Sequence, residues 1–369
     1  MPVSAVDCVQ PAIQHTREQL FTRFRFGQWT RLALVGILAG ELHVGGCNFG
    51  NFGQLLSQPP KRSNEFMAAP FPHIDPARIV QFAGLIVTVF LLATVLFFVF
   101  LYISSVFRFI LFDSVLRREC SIGEGWQRWH RTGKRFFLWQ LVYVFSTWLF
   151  FGLLVGIPLF IAAAAGWFKD FKQHVAGMIG GLILLVGVVL IFALVAAVVQ
   201  ALAKDFLVPI MALEDLNFAD GWSRLFGLMR AEPSKYALYL LLKLVLAIAA
   251  AILFGIITII PVLVVIIPIV IGVVVGIAAG LTWNVATVSL AVIFGTIAFL
   301  VVTYLIALVS APATVFFPAY AMYFLAARYP NLGVLLTPAP APPAPEAPPA
   351  AEAPPPPLLP LPPSPEPIG

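Results

Sequence analysis

Histidine and cysteine are the residue types in this chain best suited to bind a metal or to form a covalent intermediate, but they are scattered. No pair has the spacing that metal-binding motifs require. The five histidines and three cysteines are His15, His43, His73, His130 and His174, with Cys8, Cys47 and Cys120. We therefore expect no catalytic residue, no cofactor and no bound metal, and we expect that the protein is not an enzyme.

The segment 130–134 (HRTGK) resembles fragments of two catalytic motifs, a phosphate-binding loop and the His-Arg signature of a phosphodiesterase. A phosphate-binding loop needs a glycine five residues before its Gly-Lys pair and a serine or threonine after it. Arg128 and Arg135 occupy these positions, so the first motif is incomplete, and the second is only a fragment. A basic helix that meets anionic headgroups is the better interpretation of this segment.

Composition indicates that lipid is the solvent for most of the chain. Only 11% of the 369 residues are charged, whereas 60% are hydrophobic, and a soluble domain usually carries charge on about a quarter of its residues. Uncharged runs of about 20 residues are long enough to span a bilayer. We predict an all-α integral membrane protein with about six transmembrane helices, near residues 30–46, 79–107, 136–164, 175–203, 236–260 and 285–311.

Two parts of this assignment are less regular than the rest. The first span is interrupted by Glu41 and His43, which we place near its outer end because a charge at the bilayer centre costs at least about 2.5 kcal/mol. The apolar segment 259–283 contains Pro261 and Pro268, which interrupt helical hydrogen bonding. This segment is therefore a kinked extension of the fifth span, a re-entrant piece or a seventh span.

Lysine and arginine indicate the orientation of the chain, because cytoplasmic loops retain them. The segment 108–135 is rich in both and should be cytoplasmic. Alternation along the spans puts most of the 22 basic residues on this side, including those of a cytoplasmic amphipathic segment at residues 1–29. That segment lacks the continuous apolar core of a signal peptide. We predict that both termini are cytoplasmic; a seventh span would instead place the carboxyl terminus outside.

A Trp-x-Arg tripeptide occurs three times at nearly even spacing, and each copy precedes a predicted helical hairpin. The copies are Trp29 with Arg31, Trp126 with Arg128 and Trp222 with Arg224. Because a tryptophan ring prefers the headgroup layer and arginine reaches lipid phosphates, we predict that these six side chains contact lipid at the interface. The alternative is that any membrane protein places Trp and Arg at its interfaces without a repeat.

The sequences just before the second and third copies also agree with each other. Residues 121–125 and 217–221 both look like helix starts, and Ser121 with Glu124 fits a capping box. Arg108 aligns with Lys204 at the same offset, and a further span end at residues 315–321 resembles residues 206–212, which places Pro318 where Pro209 stands. We therefore predict three related hairpins, each beginning with a cytoplasmic interfacial amphipathic helix.

Few polar residues lie inside the predicted spans, and Lys243 is the main candidate for a functional one. It lies about two turns inside the fifth span, where it is either a counter-charge for a substrate or a side chain that extends to the cytoplasmic face. Gln140, Gln200 and Asn284 are explained equally well by hydrogen bonds between helices.

The tail at residues 337–369 changes abruptly to proline and alanine. Such a composition cannot build a core and favours an extended, disordered chain. Its Pro-x-x-Pro steps fit the aromatic groove of a partner protein, although a tract this biased contains such steps by chance.

Three segments carry a resemblance to a known group of proteins: 28–32 (QWTRL), 205–215 (DFLVPIMALED) and 315–327 (VFFPAYAMYFLAA). They resemble uncharacterised bacterial multi-pass membrane proteins, a domain of unknown function that is similar to the membrane domain accompanying glycerophosphodiester phosphodiesterases. The resemblance covers about residues 12–335. It implies a location in the bacterial inner membrane and assigns no residue a role. No soluble catalytic domain follows these segments, which argues against hydrolysis.

Two functions remain open from the sequence. The first is a non-enzymatic component that organises the membrane or binds partners, because the repeated features are interfacial. Its partners would be the lipid bilayer with its anionic headgroups and, through the tail, a protein, but not nucleic acid. The second is a small permease with a cavity between the hairpins, lined by Lys243 or Asn284.

Overall fold

The computed structural model describes residues 4–22, 24–41, 76–167, 171–278, 280 and 284–336. Within these ranges the chain is helical and forms no strand. The predicted all-α class is therefore confirmed for the described residues. The predicted tail at 337–369 lies outside them, as do Cys47, His43 and His73.

Ten α-helices follow one another along the described chain. They are α1 (Val9–Arg17), α2 (Phe26–Ala39), α3 (Pro76–Arg117), α4 (Ile122–Ala164), α5 (Phe171–Leu202), α6 (Val208–Glu214), α7 (Phe218–Ala231), α8 (Pro233–Ala278), α9 (Val285–Ala326) and α10 (Pro330–Leu336). Two π-helical turns complete the set: Glu18–Thr22 extends α1, and Ala203–Leu207 joins α5 to α6 without a break.

Five helical stretches in the described residues are long and apolar enough to cross a membrane. They are Ile86–Arg117, Ile122–Ala164, Gly177–Glu214, Pro233–Gly276 and Thr287–Ala326. These stretches overlap five of the six predicted spans and give the chain the character of a multi-pass membrane protein. The sixth, at residues 30–46, is not among them.

Helix α2 covers only part of the predicted first span. It has 14 residues and is therefore about 21 Å long, shorter than the roughly 30 Å hydrocarbon core of a bilayer. It ends at Ala39, after which Gly40 adopts a left-handed conformation with φ of 73°. Residues 42–46 lie outside the described chain, so the count of six spans stays a prediction.

The predicted placement of Glu41 near the outer end of this span, on the opposite side from the span end that carries Lys204, does not agree with the fold. Its carboxylate lies 2.9 Å from the ammonium of Lys204, which the sequence-based topology put at a cytoplasmic span end. Because α2 is short and ends at Ala39, Glu41 lies next to the end of α5.

The ambiguous segment 259–283 continues the fifth predicted span as helix. Helix α8 runs without interruption from Pro233 to Ala278 and contains both Pro261 and Pro268. Three interpretations of this segment were open from the sequence. The described residues agree with an extension of the fifth span. Residues 281–283 lie outside the description.

Two helix starts were predicted correctly, but the hydrogen bonds proposed for them do not form. Helices α4 and α7 begin directly after Ser121 and Asn217, which have extended backbones, yet neither side chain caps its helix. The Ser121 hydroxyl instead lies 3.3 Å from the Glu124 carboxylate. Since the hydroxyl is engaged there, the capping box expected at α4 is replaced by a contact between two side chains.

The buried core is confined to one end of the long helices, where the short helices pack against them. We call this region the helical base; it comprises α1, α2, α6, α7 and α10 with the adjoining ends of α3, α4, α5, α8 and α9. Aromatic side chains fill its centre, and the fully buried ones are Tyr236, Tyr239, Tyr320, Phe109, Phe136, Phe206 and Phe324. Rings that bury this much apolar area dominate the stability of a core.

Beyond the helical base, the long helices expose apolar side chains on most of their surface. We call these stretches the apolar arms: residues 86–101, 144–164, 177–197, 244–278 and 287–306. Phe160 and Leu184 are 74% and 70% exposed. Contiguous apolar surface of this extent requires an apolar environment, which supports the membrane assignment of the arms.

Candidate functional site

Five ionisable side chains from separate parts of the chain meet inside the helical base. We call them the buried charge cluster: Glu41 follows α2, Arg108 lies on α3, Lys204 and Asp205 lie on the π turn between α5 and α6, and Lys243 lies on α8. Of these five residues, Lys243 is the one that the sequence predicted as a functional candidate. The fold shows that it belongs to a group.

The π turn has a local cause in the sequence. Pro209 has no amide hydrogen and cannot donate to the carbonyl of Asp205, four residues earlier, as an α-helix requires. The helix widens into the π turn Ala203–Leu207 just before this proline, and such turns occur often at functional sites. Because a π turn rotates less per residue than an α turn, the neighbouring side chains of Lys204 and Asp205 line the same cavity.

Asp205 and Lys243 form the closest ion pair of the cluster. The Lys243 ammonium lies 2.6 Å from Oδ1 of Asp205, and the two side chains are only 18% and 8% exposed. The Tyr239 hydroxyl donates a second hydrogen bond to Oδ2 over 2.9 Å. A buried carboxylate therefore holds Lys243 inside the base. Extension of the side chain to the cytoplasmic face, one of the two roles that the sequence left open, is not what the fold shows.

Lys204 and Glu41 form a second pair, with Nζ and Oε1 2.9 Å apart. This contact joins the end of α2 to the end of α5. It could not be predicted from the sequence, because the two residues lie in different parts of the chain and no local pattern relates them.

Arg108 is the one cation of the cluster that has no ion pair among the described residues. Its side chain is buried, with 8% exposure, and its guanidinium donates to the Ala39 carbonyl over 3.3 Å and to Gln140 over 3.5 Å. The ring of Phe136 lies 5.6 Å away on one side. Among the described residues, no carboxylate oxygen lies within 4.0 Å of the Arg108 guanidinium, the distance limit for an ion pair.

A cavity of about 40 Å³ lies between these side chains. All five members of the buried charge cluster line it. Apolar residues complete the wall: Leu111, Phe112, Val208, Pro209, Phe317, Pro318, Ala321 and Met322. Pro209 and Pro318, which the sequence comparison aligned, thus meet at one cavity, and Arg108 and Lys204, the other aligned pair, meet there as well.

The three tryptophans predicted at the membrane interface are all partly buried in aromatic or helical packing. Trp29 donates from Nε1 to the Leu308 carbonyl over 2.8 Å. The ring of Trp126 packs on Tyr102 and Phe107, with ring centroids 6.0 Å away in both cases. Trp222 packs against Trp139 and Phe226 at 5.9 and 5.4 Å. The rings thus hold the repeated helices to their neighbours.

The three arginines of these tripeptides remain on the surface. Arg128 pairs with Asp113 at 3.1 Å, and Arg224 approaches Glu214 at 3.9 Å. Arg31 lies 3.5 Å from the Cys120 carbonyl. Arg31 and Arg128 line one open groove of about 470 Å³, together with Arg25, Gly27, Gln28, Arg117, Glu119, Cys120, Ser121 and Glu124. Contact of the six tripeptide residues with lipid stays a prediction.

Other polar candidates have structural roles. Gln140 accepts from the Ser105 hydroxyl over 2.9 Å as well as from Arg108. Asn284 caps α9, with its side chain accepting from the Thr287 amide over 2.9 Å. In the part of the chain that the structure describes, no three His, Cys, Asp or Glu residues are grouped as metal ligands.

Comparison with known proteins identifies the family of this chain but does not identify an activity. No curated protein and no solved structure matches the chain. A model described as a family of unknown function (DUF7544) matches residues 3–335, close to the range over which the sequence resembled uncharacterised membrane proteins. A link to the domain that accompanies glycerophosphodiester phosphodiesterases is not part of this match. Because the match covers nearly the whole chain, the protein belongs to the DUF7544 family of unknown function.

Proposed function

We propose that this protein is a non-enzymatic, multi-pass component of the bacterial inner membrane that organises lipids or partner proteins around its helical base. The observation that carries this proposal is the contrast between the base and the apolar arms. The base has a packed aromatic core, whereas the arms have little packing of their own. Arms such as these gain stability only from lipid or from other membrane helices.

The charge distribution supports an orientation with the base on the cytoplasmic side. The basic groove that holds Arg31 and Arg128 is the kind of surface that attracts anionic headgroups. The bias of lysine and arginine toward the same side supports cytoplasmic termini. On this topology the arms reach across the inner membrane and the base contacts its inner face.

Close packing at glycines supports a relation between the first two of the three proposed units. Gly36 and Gly133 both lie seven residues after the tryptophan of a Trp-x-Arg tripeptide. A Cβ at Gly36 would lie 2.8 Å from Thr314, and one at Gly133 would lie 2.7 Å from Val106. The first two repeated helices therefore make the same kind of close approach to the base end of a long helix. The third has Met229 at this position, which limits the similarity.

Site-specific photo-crosslinking in the membrane tests the proposal. A photoreactive amino acid in place of Phe160, on an apolar arm, should form adducts with phospholipid or with a second protein. The same group in place of Asn331, an exposed residue of the base, is the matched control and should give no phospholipid adduct. An arm that forms neither kind of adduct would contradict the proposed role.

The same experiment on a chain truncated after Leu336 examines the tail. If residues 337–369 recruit a protein partner, crosslinks to that partner should disappear with the truncation, while lipid adducts at Phe160 persist. An unchanged set of partners would remove the tail from the proposal.

The buried charge cluster favours a second candidate, a small permease. Ionisable groups inside membrane helices often mark transport pathways, and Lys243 lines the cavity. Flux of a small solute through reconstituted vesicles that disappears in Lys243→Ala, with Lys235→Ala as the control, would support a permease and count against the organising role.

A further inference from the structure

We propose that the buried charge cluster binds a phosphate-type oxyanion, held by Arg108, Lys204 and Lys243. The anion would be either a free inorganic ion or the phosphate of a lipid headgroup, since both present the same tetrahedral oxygens. This inference does not depend on the proposed function, because either an organising protein or a permease can contain such a site.

The balance of charge around the cavity is the first argument. Three cationic side chains line it, Arg108, Lys204 and Lys243, against two carboxylates, Glu41 and Asp205. Each lysine has a carboxylate within 2.9 Å or less, so the remaining positive charge is that of Arg108. An uncompensated buried charge is costly, and a bound anion would remove this cost.

The hydrogen-bonding capacity of Arg108 is the second argument. A guanidinium carries five N–H donors in a planar fork that matches an oxyanion. Arg108 uses two of its nitrogens, over 3.3 Å to Ala39 and 3.5 Å to Gln140, and both contacts exceed the usual length for a charged donor. Donors therefore remain on a side chain that is more than nine-tenths buried and lines the cavity.

The size of the cavity is the third argument. It measures about 40 Å³, and by the same measure one water needs roughly 10–15 Å³. It therefore has room for about three waters, or for one tetrahedral oxyanion with four oxygens around a central atom. The lysines would act as point charges beside the arginine fork, a combination that is common in phosphate sites.

Equilibrium dialysis with radiolabelled inorganic phosphate tests the site. The full chain is purified in a maltoside detergent, which contains no phosphate, and is dialysed in a chloride buffer of constant ionic strength. We expect about one phosphate bound per chain, competed by sulfate and not by chloride. Absence of saturable binding, in protein checked to be free of retained phospholipid, would overturn the proposal.

Variants locate the site within the chain. Arg108→Gln keeps a polar side chain but loses the charge and the fork, and it should weaken phosphate binding by at least tenfold. Arg230→Gln, at an exposed position on α7 away from the cavity, is the matched control and should bind like the natural chain. Equal binding by all three proteins would place the anion elsewhere and refute the assignment.

If Arg108→Gln does not fold, the thermal unfolding of the natural chain in phosphate and in chloride still tests the site. Phosphate at about 100 times its dissociation constant should raise the midpoint of unfolding by several degrees over chloride at equal ionic strength. Arg108→Lys, which keeps the charge without the fork, should show a smaller rise. An identical midpoint in phosphate and chloride for the natural chain would contradict the site.

Added phospholipid distinguishes the two sources of the anion. If the natural ligand is a headgroup, phosphatidylglycerol in the micelle should displace labelled phosphate. If it is a free ion, the lipid should leave the bound phosphate unchanged. Either result supports an oxyanion site.

Discussion

The ammonium of Lys243 lies 2.6 Å from Oδ1 of Asp205. The last charged residue of α8 is thus neutralised by a carboxylate on the π turn between α5 and α6. This pair joins α8 to the α5–α6 segment inside the helical base. The contribution of this pair to the free energy of unfolding can be measured with variants of either residue.

Replacement of Lys243 by methionine should destabilise the protein strongly. It leaves the carboxylate of Asp205 buried without its cation, and breaking a buried pair in this way costs about 3–5 kcal/mol. Lys235→Met, at a partly exposed pair with Glu232, is the control and should cost less than about 1 kcal/mol. Thermal unfolding in detergent checks both variants.

The double variant Lys243→Met with Asp205→Asn should recover most of this loss. The asparagine can still accept the hydrogen bond of Tyr239, and no charge remains unpaired. If the double variant is as unstable as Lys243→Met alone, the ion pair is not the source of the effect.

Replacement of Gly133 by alanine should lower stability by about 1–3 kcal/mol. The new Cβ would lie 2.7 Å from Cγ2 of Val106 and 3.0 Å from its Cα, so α3 and α4 would have to separate. Gly152→Ala, in the same helix but with open space around it, should be neutral or slightly stabilising because alanine favours helix. Comparison of the two unfolding midpoints separates packing from helix propensity.

Acidification should loosen the attachment of α1 through His15. Burial lowers the pKa of His15, and nearby Arg118 lowers it further; the ring contacts the Val115 carbonyl over 3.0 Å and the Tyr323 hydroxyl over 3.3 Å. A lowered pKa means that the unfolded chain binds the proton more tightly. Stability from neutral His15 is therefore complete above about pH 6.5 and falls as the pH drops through that value toward the folded-state pKa.

Proteolysis of the amino-terminal segment between pH 7.5 and 5 measures this effect. The natural chain should be cleaved faster at the lower pH, whereas His15→Gln, which can keep both hydrogen bonds, should show a flatter profile. The same slope in both proteins would assign the effect to other groups.

The thiols of Cys8 and Cys120 should resist alkylation in the folded protein. Both are buried, and burial raises the pKa of Cys8 to about 11 and also raises that of Cys120. At pH 8 about one Cys8 thiol in a thousand would be ionised, and the thiolate is the reactive form. In a Cys47→Ser background, N-ethylmaleimide should label the chain only after denaturation, while an added Ser223→Cys on the surface should react at once.

Neutralising Arg31, Arg128 and Arg224 together should reduce binding to anionic lipid with a small effect on stability. All three guanidinium groups are on the surface, where an ion pair contributes about 1 kcal/mol or less. Asp113, the buried partner of Arg128, keeps Arg117 as a second cation. Flotation with vesicles of neutral lipid and of phosphatidylglycerol measures the change. Equal affinity of natural and triple-variant protein for the anionic vesicles would remove these arginines from lipid recognition.

The sequence by itself determined the helical class, five of the helices that can span a membrane, and the starts of α4 and α7. These features depend on composition and on local patterns, because hydrocarbon requires every backbone amide to be paired within its own helix. A long uncharged run such as that of α8 therefore has one available structure. The sequence also showed the alignment of Arg108 with Lys204 and of Pro209 with Pro318. It did not show that all four residues line one cavity.

Only the tertiary structure decided which charges meet. Glu41, Arg108 and Lys243 are separated by long stretches of chain, and no local pattern pairs them with the π turn that carries Lys204 and Asp205. Their contacts depend on where α2 ends and how the long helices converge at the base. Lys243 looked like a solitary cation with a free path to the surface because its partner, Asp205, lies on another helix. Which distant charges form pairs depends on how the helices pack, and local patterns in the sequence do not predict that packing.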